Sequence, residues 1–146
     1  MSFIDAQYSD FKTYTTSGSA PSINIQESNL SGNRVENAPR YIHSFGLSWS
    51  TAQFSTTLQY RMSGEIFTDA NNTIKPSANG TTGLLDGYEL LDLSAEYKFM
   101  KNYNIKAGIN NLTNEAYATR RSGGYPGPGI LPGDARTFYI SLGIKL

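Results

Sequence analysis

The 146-residue sequence has no cysteine, which excludes a disulfide framework and any thiol chemistry. Charge is scarce: it occupies 16% of positions, and twelve basic side chains balance twelve acidic ones. Without an excess of either sign there is no electrostatic footprint for nucleic acid or for an acidic substrate. No segment reaches the roughly 18 consecutive apolar residues of a transmembrane helix. Met1-Ser2-Phe3-Ile4-Asp5 does not open a signal peptide. A helical membrane protein is thereby excluded, but a β-barrel is not, because alternation halves the apolar content of each strand. With no visible export address, the chain is expected to be the C-terminal part of something longer.

Aromatic residues are plentiful: seven Phe, ten Tyr and one Trp, a composition that suits strands better than solvated helices. At the C-terminal end Phe138, Ile140, Leu142, Ile144 and Leu146 occupy every second position, with Tyr139, Ser141, Gly143 and Lys145 between them. A period of two sets one face of an extended strand against something oily and the other against water. The same alternation recurs upstream. Tyr41, His43, Phe45, Leu47 and Trp49 form one face of residues 41–50. Phe54, Thr56, Leu58, Tyr60 and Met62 share a face, opposite Ser55, Thr57, Gln59 and Arg61. Leu91, Leu93, Ala95, Tyr97 and Phe99 oppose Asp92, Ser94, Glu96 and Lys98. Tyr103, Ile105, Ala107 and Ile109 oppose Asn104, Lys106, Gly108 and Asn110. Residues 3–13 carry a weaker version, with Ile4, Ala6 and Tyr8 against Phe3, Asp5 and Gln7.

Connections of two lengths join these segments. Residues 51–53 and 100–102 are short, so the strands they join must be antiparallel. Residues 14–39, 64–86 and 111–134 lose the periodicity and read as long exposed loops; the last holds three of the six prolines and five of the fourteen glycines. Short periplasmic turns and long extracellular loops are the habit of transmembrane barrels. Trp49, Phe54, Tyr97, Phe99 and Tyr103 flank the short turns, where an aromatic girdle would meet lipid headgroups. The pattern therefore predicts an all-β fold: a segment of an antiparallel transmembrane β-barrel with about six strands, short periplasmic turns and long extracellular loops. Six strands do not close a barrel, since the smallest bacterial ones have about eight. The chain is expected either to oligomerise or to end a larger barrel.

Asn-Asn-Leu-Thr-Asn-Glu-Ala-Tyr at residues 110–117 and Pro-Gly-Asp-Ala-Arg-Thr-Phe-Tyr-Ile-Ser-Leu-Gly-Ile-Lys-Leu at 132–146 resemble the C-terminus of TonB-dependent outer-membrane receptors. Gly-Asn-Arg-Val-Glu-Asn-Ala-Pro-Arg at 32–40 and Tyr-Glu-Leu-Leu-Asp-Leu at 88–93 are similar to that family's last third, and the 32–40 segment resembles ferric dicitrate receptors. The resemblance implies a barrel of about 22 strands around a plug, importing ferric chelates or similar nutrients with energy from the TonB complex. Residues 1–146 would be the C-terminal part of that barrel, with plug and N-terminal strands absent, so this piece alone is expected neither to gate nor to couple to energy. Its partners would be outer-membrane lipid, the rest of the barrel and plug, the TonB complex through the missing part, and a ferric chelate. The family often ends in Phe or Trp, where this chain has Leu146.

No nucleophile or metal cluster accompanies Asp86, Glu89 and Asp92, so catalysis is not expected, nor is a bound cofactor or metal. Arg120 and Arg121 are the ligand candidates, because a guanidinium pair in an outer loop suits an anionic chelate; the competing reading is a solvated loop pair. His43, the only histidine, reads as an interfacial residue rather than an iron ligand. Arg61, Asp92, Glu96, Lys98 and Lys106 face inward, where they could pair across the lumen or contact a plug; a structural role in a polar interior is the expected one. Asn110, Asn111 and Asn114 are expected to end a strand through local side-chain to backbone bonds. Two rivals stand beside the receptor: a soluble lipocalin-like ligand-binding barrel, which would turn its apolar face inward, and a passive porin or adhesin fragment.

Overall fold

The computed structural model describes residues 2–125 and 127–145; Leu146, the last member of the apolar series, lies outside them. Among the described residues ten strands form, in order β1 (Ser2–Phe3), β2 (Lys12–Ser17), β3 (Asn24–Asn29), β4 (Tyr41–Ser50), β5 (Phe54–Ser63), β6 (Tyr88–Phe99), β7 (Tyr103–Asn110), β8 (Ala118–Ser122), β9 (Gly129–Pro132) and β10 (Thr137–Ile144). Six of them make one antiparallel sheet in the order β1-β4-β5-β6-β7-β10, and β2-β3 and β8-β9 are separate two-stranded ribbons. Once the ribbons are set aside as insertions in loops, the sheet is an up-and-down meander, and the short turns between β4 and β5 and between β6 and β7 enforce antiparallel pairing there.

The register sorts every alternating segment onto the same two faces. Leu47 lies opposite Leu58, Leu58 opposite Leu93, Leu93 opposite Ile109 and Ile109 opposite Phe138, a single apolar row running across five strands. Gly46 opposes Gln59, Gln59 opposes Asp92, and Ser94 opposes Gly108, so the other face is mainly polar, with Leu90 opposite Arg61 and Tyr139 opposite Gly108 as exceptions. The apolar face is not a core. Leu47 is 74% exposed and Ile140 71%, and the buried apolar side chains among the described residues are Leu30, Leu85 and Leu90, all near the loop end. A lipocalin-like barrel would gather Phe45, Leu93 and Ile140 into a dry centre; here they stand on the open face. Exposed apolar area on this scale demands a non-aqueous neighbour.

Aromatic rings bracket that face at both ends. At the turn end Trp49 and Phe54 lie 5.8 Å apart, Phe54 pairs with Tyr97, and Phe99 links Tyr97 at 6.2 Å to Tyr103 at 5.8 Å. These are the five residues expected to form a girdle. A second group, not anticipated, sits at the loop end: Tyr41 stacks on His43 at 5.2 Å, Phe3 meets its edge at 5.0 Å, and Phe45 bridges to Tyr60 at 6.4 Å.

Three expectations need correction. Residues 3–13 are not one strand, because only Ser2 and Phe3 pair with β4. Beyond them Ile4 donates to Arg40, Val35 to Ala6 and Tyr8 to Asn33, a ladder broken where residues 36–39 loop out and Asn37 takes a φ of 58°. Nor is 14–39 irregular throughout. β2 and β3 make a six-rung hairpin with Lys12 against Glu27 at 2.6 Å, and the hydrogen bond from Tyr14 to Glu27 raises that phenol above its ordinary pKa. The third loop likewise contains the β8-β9 ribbon, bulged at Thr119.

Candidate functional site at the loop end

The polar face ends, at the loop end, in a network built on Asn111. This buried residue holds a φ of 53°, a left-handed conformation that asparagine tolerates better than most. Its side-chain oxygen accepts from the Glu115 N–H at 2.8 Å, while its amide donates to the carbonyls of Glu115 at 2.9 Å and Asp134 at 3.1 Å. Its own N–H donates to Asp92 at 2.8 Å, and the other oxygen of Asp92 pairs with Arg61 at 2.7 Å. Asn114 accepts from the Arg136 N–H at 3.2 Å. The Asn-rich motif thus ties the base of the third loop to the start of β10, a fuller version of the strand-ending role expected for it.

Above that base lies a cleft of about 590 Å³, lined by Leu84, Leu85, Asp86, Glu115, Tyr117 and Ile130 among others. A second, polar cleft of about 250 Å³ continues down the wall past Arg61, Asp92, Asn111 and Asp134. Tyr117 and Ala135 line both, and Tyr117 packs on Tyr88 with ring centres 4.5 Å apart. The two therefore adjoin, the larger among the loops and the smaller at the polar face, and the larger is of the size that small ligands occupy.

Arg120 and Arg121 do not meet as a pair. Consecutive strand residues point to opposite sides, with Arg120 opposite Leu131 and Arg121 opposite Ile130. Arg120 is exposed and lines neither cleft. Arg121 lines the larger cleft but donates to three carbonyls of the second loop: Nε to Gly83 at 3.1 Å, one terminal nitrogen to Gly80 at 3.0 Å and the other to Leu84 at 3.3 Å. It clamps two loops together. Close packing of Gly80 on Gly129, where an added Cβ would stand 3.1 Å from the Gly129 Cα, reinforces the joint. A parallel joint links the 32–40 segment to the second loop: the backbone of Arg34 exchanges hydrogen bonds of 2.7 and 2.8 Å with the Asn72 side chain, and its guanidinium meets Glu65 at 3.3 Å.

The remaining candidates fall where a structural role puts them. His43 is 8% exposed on the apolar face, enclosed by aromatic rings, with its Nδ1 unpartnered among the described residues. Glu96 accepts from Asn104 at 2.8 Å and stands opposite Lys106. Asp86, Glu115 and Tyr117 as cleft-lining groups were not foreseeable individually, because each reaches the cleft only through the loop joints; the Asn-rich motif was the one local signal.

A two-sided antiparallel sheet, apolar outside and polar inside, with short turns at one end and jointed loops at the other, defines a wall segment of a membrane β-barrel. The family described as TonB dependent receptor-like, beta-barrel matches residues 3–112, and the chain belongs to it. That family consists of receptors and transporters rather than enzymes. Among solved structures, the ferric citrate transporter FecA in its unliganded form is 27% identical, with a TM-score of 0.70 over 83% of this chain and 19% of its own. The siderophore receptor PiuA from Acinetobacter baumannii is 18% identical, with a TM-score of 0.66 over 88% of this chain and 17% of its own. The ferric yersiniabactin uptake receptor FyuA from Yersinia pestis is 20% identical, with a TM-score of 0.61 over 92% of this chain and 23% of its own. The chain spans about a fifth of the length of these structures.

Proposed function

We propose that the chain is the C-terminal wall of a TonB-energised outer-membrane receptor that imports a ferric chelate or a similar scarce nutrient. In that arrangement the apolar face with its two aromatic groups contacts lipid, the turns lie in the periplasm and the loops face outward. The polar face lines a lumen filled by the plug, and coupling to the TonB complex runs through the part of the receptor that this chain does not contain. The observation that carries the reading is the sheet itself. One face is apolar to solvent, and the outer edges of β10 and of β4 beyond Ile42 lack a partner strand among the described residues. Unpaired backbone groups in hydrocarbon cost several kcal/mol each, so more strands must complete the wall. Arg121 serves capture by shaping the cleft, and Arg120 is left exposed for contact outside it.

The test is uptake of radioiron by cells carrying the intact receptor, offered as a ferric catecholate, a ferric hydroxamate and ferric citrate, with and without a protonophore. Energy-dependent uptake of at least one chelate is expected. Uptake that survives collapse of the proton gradient would instead favour the passive porin.

A further inference from the structure

We infer that the larger cleft selects a chelate with an apolar body and a protonated amine over a polyanionic one; this rests on the receptor reading above. The floor and walls are apolar, from Leu84, Leu85, Ala116, Ile130 and Pro132. Against them stand two carboxylates, Asp86 and Glu115, whose side chains make no ion pair or hydrogen bond among the described residues. Among the described residues the one basic group in the lining is Arg121, and three of its five N–H donors are spent on loop carbonyls. In the adjoining smaller cleft Arg61 is already paired with Asp92, while Asp134 adds a further carboxylate. A polyanion entering this cleft meets two carboxylates of like charge and a guanidinium turned to loop carbonyls. An ammonium group meets two carboxylate acceptors in the lining, and its apolar body finds an apolar bed. Charge placed in this way acts chiefly as selectivity.

The experiment uses the intact receptor in detergent and three ferric probes: a trishydroxamate chelate bearing a free primary amine, the same chelate with that amine acetylated, and ferric citrate. The expected result is a preference of roughly three- to tenfold for the amine over its acetylated twin, the scale of one or two exposed charge pairs. Asp86→Asn and Glu115→Gln should each shrink that ratio towards unity without changing affinity for the acetylated chelate, and Glu36→Gln, an exposed carboxylate outside the cleft, should leave it alone. Equal binding of the two hydroxamates, or tighter binding of ferric citrate that neither cleft variant alters, would overturn the inference and leave the receptor reading standing. Failure of every ferric probe to bind the wild-type receptor would overturn the inference together with the ferric-chelate part of the receptor reading.

Discussion

Adjacent substitutions of the same residue test the assignment of faces most directly, because a period of two sends neighbours into different solvents. Leu47 lies on the apolar face, 74% exposed, two residues from Phe45 on one side and Trp49 on the other, and so between the two aromatic groups. Gly46 lies on the polar face, where a Cβ would find nothing within 4 Å. Leu47→Arg carries a guanidinium into the middle of the apolar band, at a cost of about 2–4 kcal/mol near the midplane of a bilayer. Gly46→Arg adds a side chain to an open polar surface opposite Gln59, with a change of about 0.5 kcal/mol or less. At about 1.4 kcal/mol per tenfold, the folding equilibria of the two variants should differ by a factor of roughly 10 to 1,000. The assay is equilibrium denaturation of the intact barrel in lipid vesicles, reading midpoint and slope together so that a change of compactness is not mistaken for a change of stability. Equal losses, or a greater loss for Gly46→Arg, would refute the assignment and with it the membrane-spanning reading of the sheet.

Three further outcomes follow from the joints and the polar face. Arg121→Ala should free the second loop from the β8-β9 ribbon, raising amide exchange at residues 80–84 by a factor consistent with about 1–3 kcal/mol; Arg121→Lys should not restore protection, because one ammonium cannot match a planar fork spread over three carbonyls. Asn111→Ala loses three side-chain hydrogen bonds and places a Cβ-bearing residue without a local partner at a φ of 53°, so a destabilisation of about 2–4 kcal/mol is expected, with Asn111→Gly recovering only the backbone part. Gly108→Ala would set a methyl group 2.5 Å from the Tyr139 ring that covers it, costing about 1–3 kcal/mol, and Tyr139→Ser in the same chain should remove most of that cost in a double-mutant cycle.

What could be read in advance divides along a physical line. Period-two alternation is a local property of the chain, so β4, β5, β6, β7 and β10 were legible with their faces, and so was the turn-end girdle, since short turns bring its members together. β2 and β3 were hidden because much of the ribbon is polar on both sides: Thr13, Thr15, Ser17, Asn24, Gln26 and Ser28 share one face with no apolar series to mark it. β8 and β9 were hidden by the bulge at Thr119 and by flanking glycine and proline. The cleft was beyond local reading altogether. Its walls come from residues 84–87, 114–118 and 130–135, and they meet because Asn111 binds Asp134 across 23 residues and Arg121 binds loop carbonyls across 37 to 41. The adjacency of Arg120 and Arg121 suggested an anion cradle, yet adjacency in a strand is what separates two side chains, one to each face. Sequence neighbours make a patch only where the backbone is not extended; where it is extended, the partners of a site residue lie on other strands or loops, at distances that only the register and the long-range hydrogen bonds disclose.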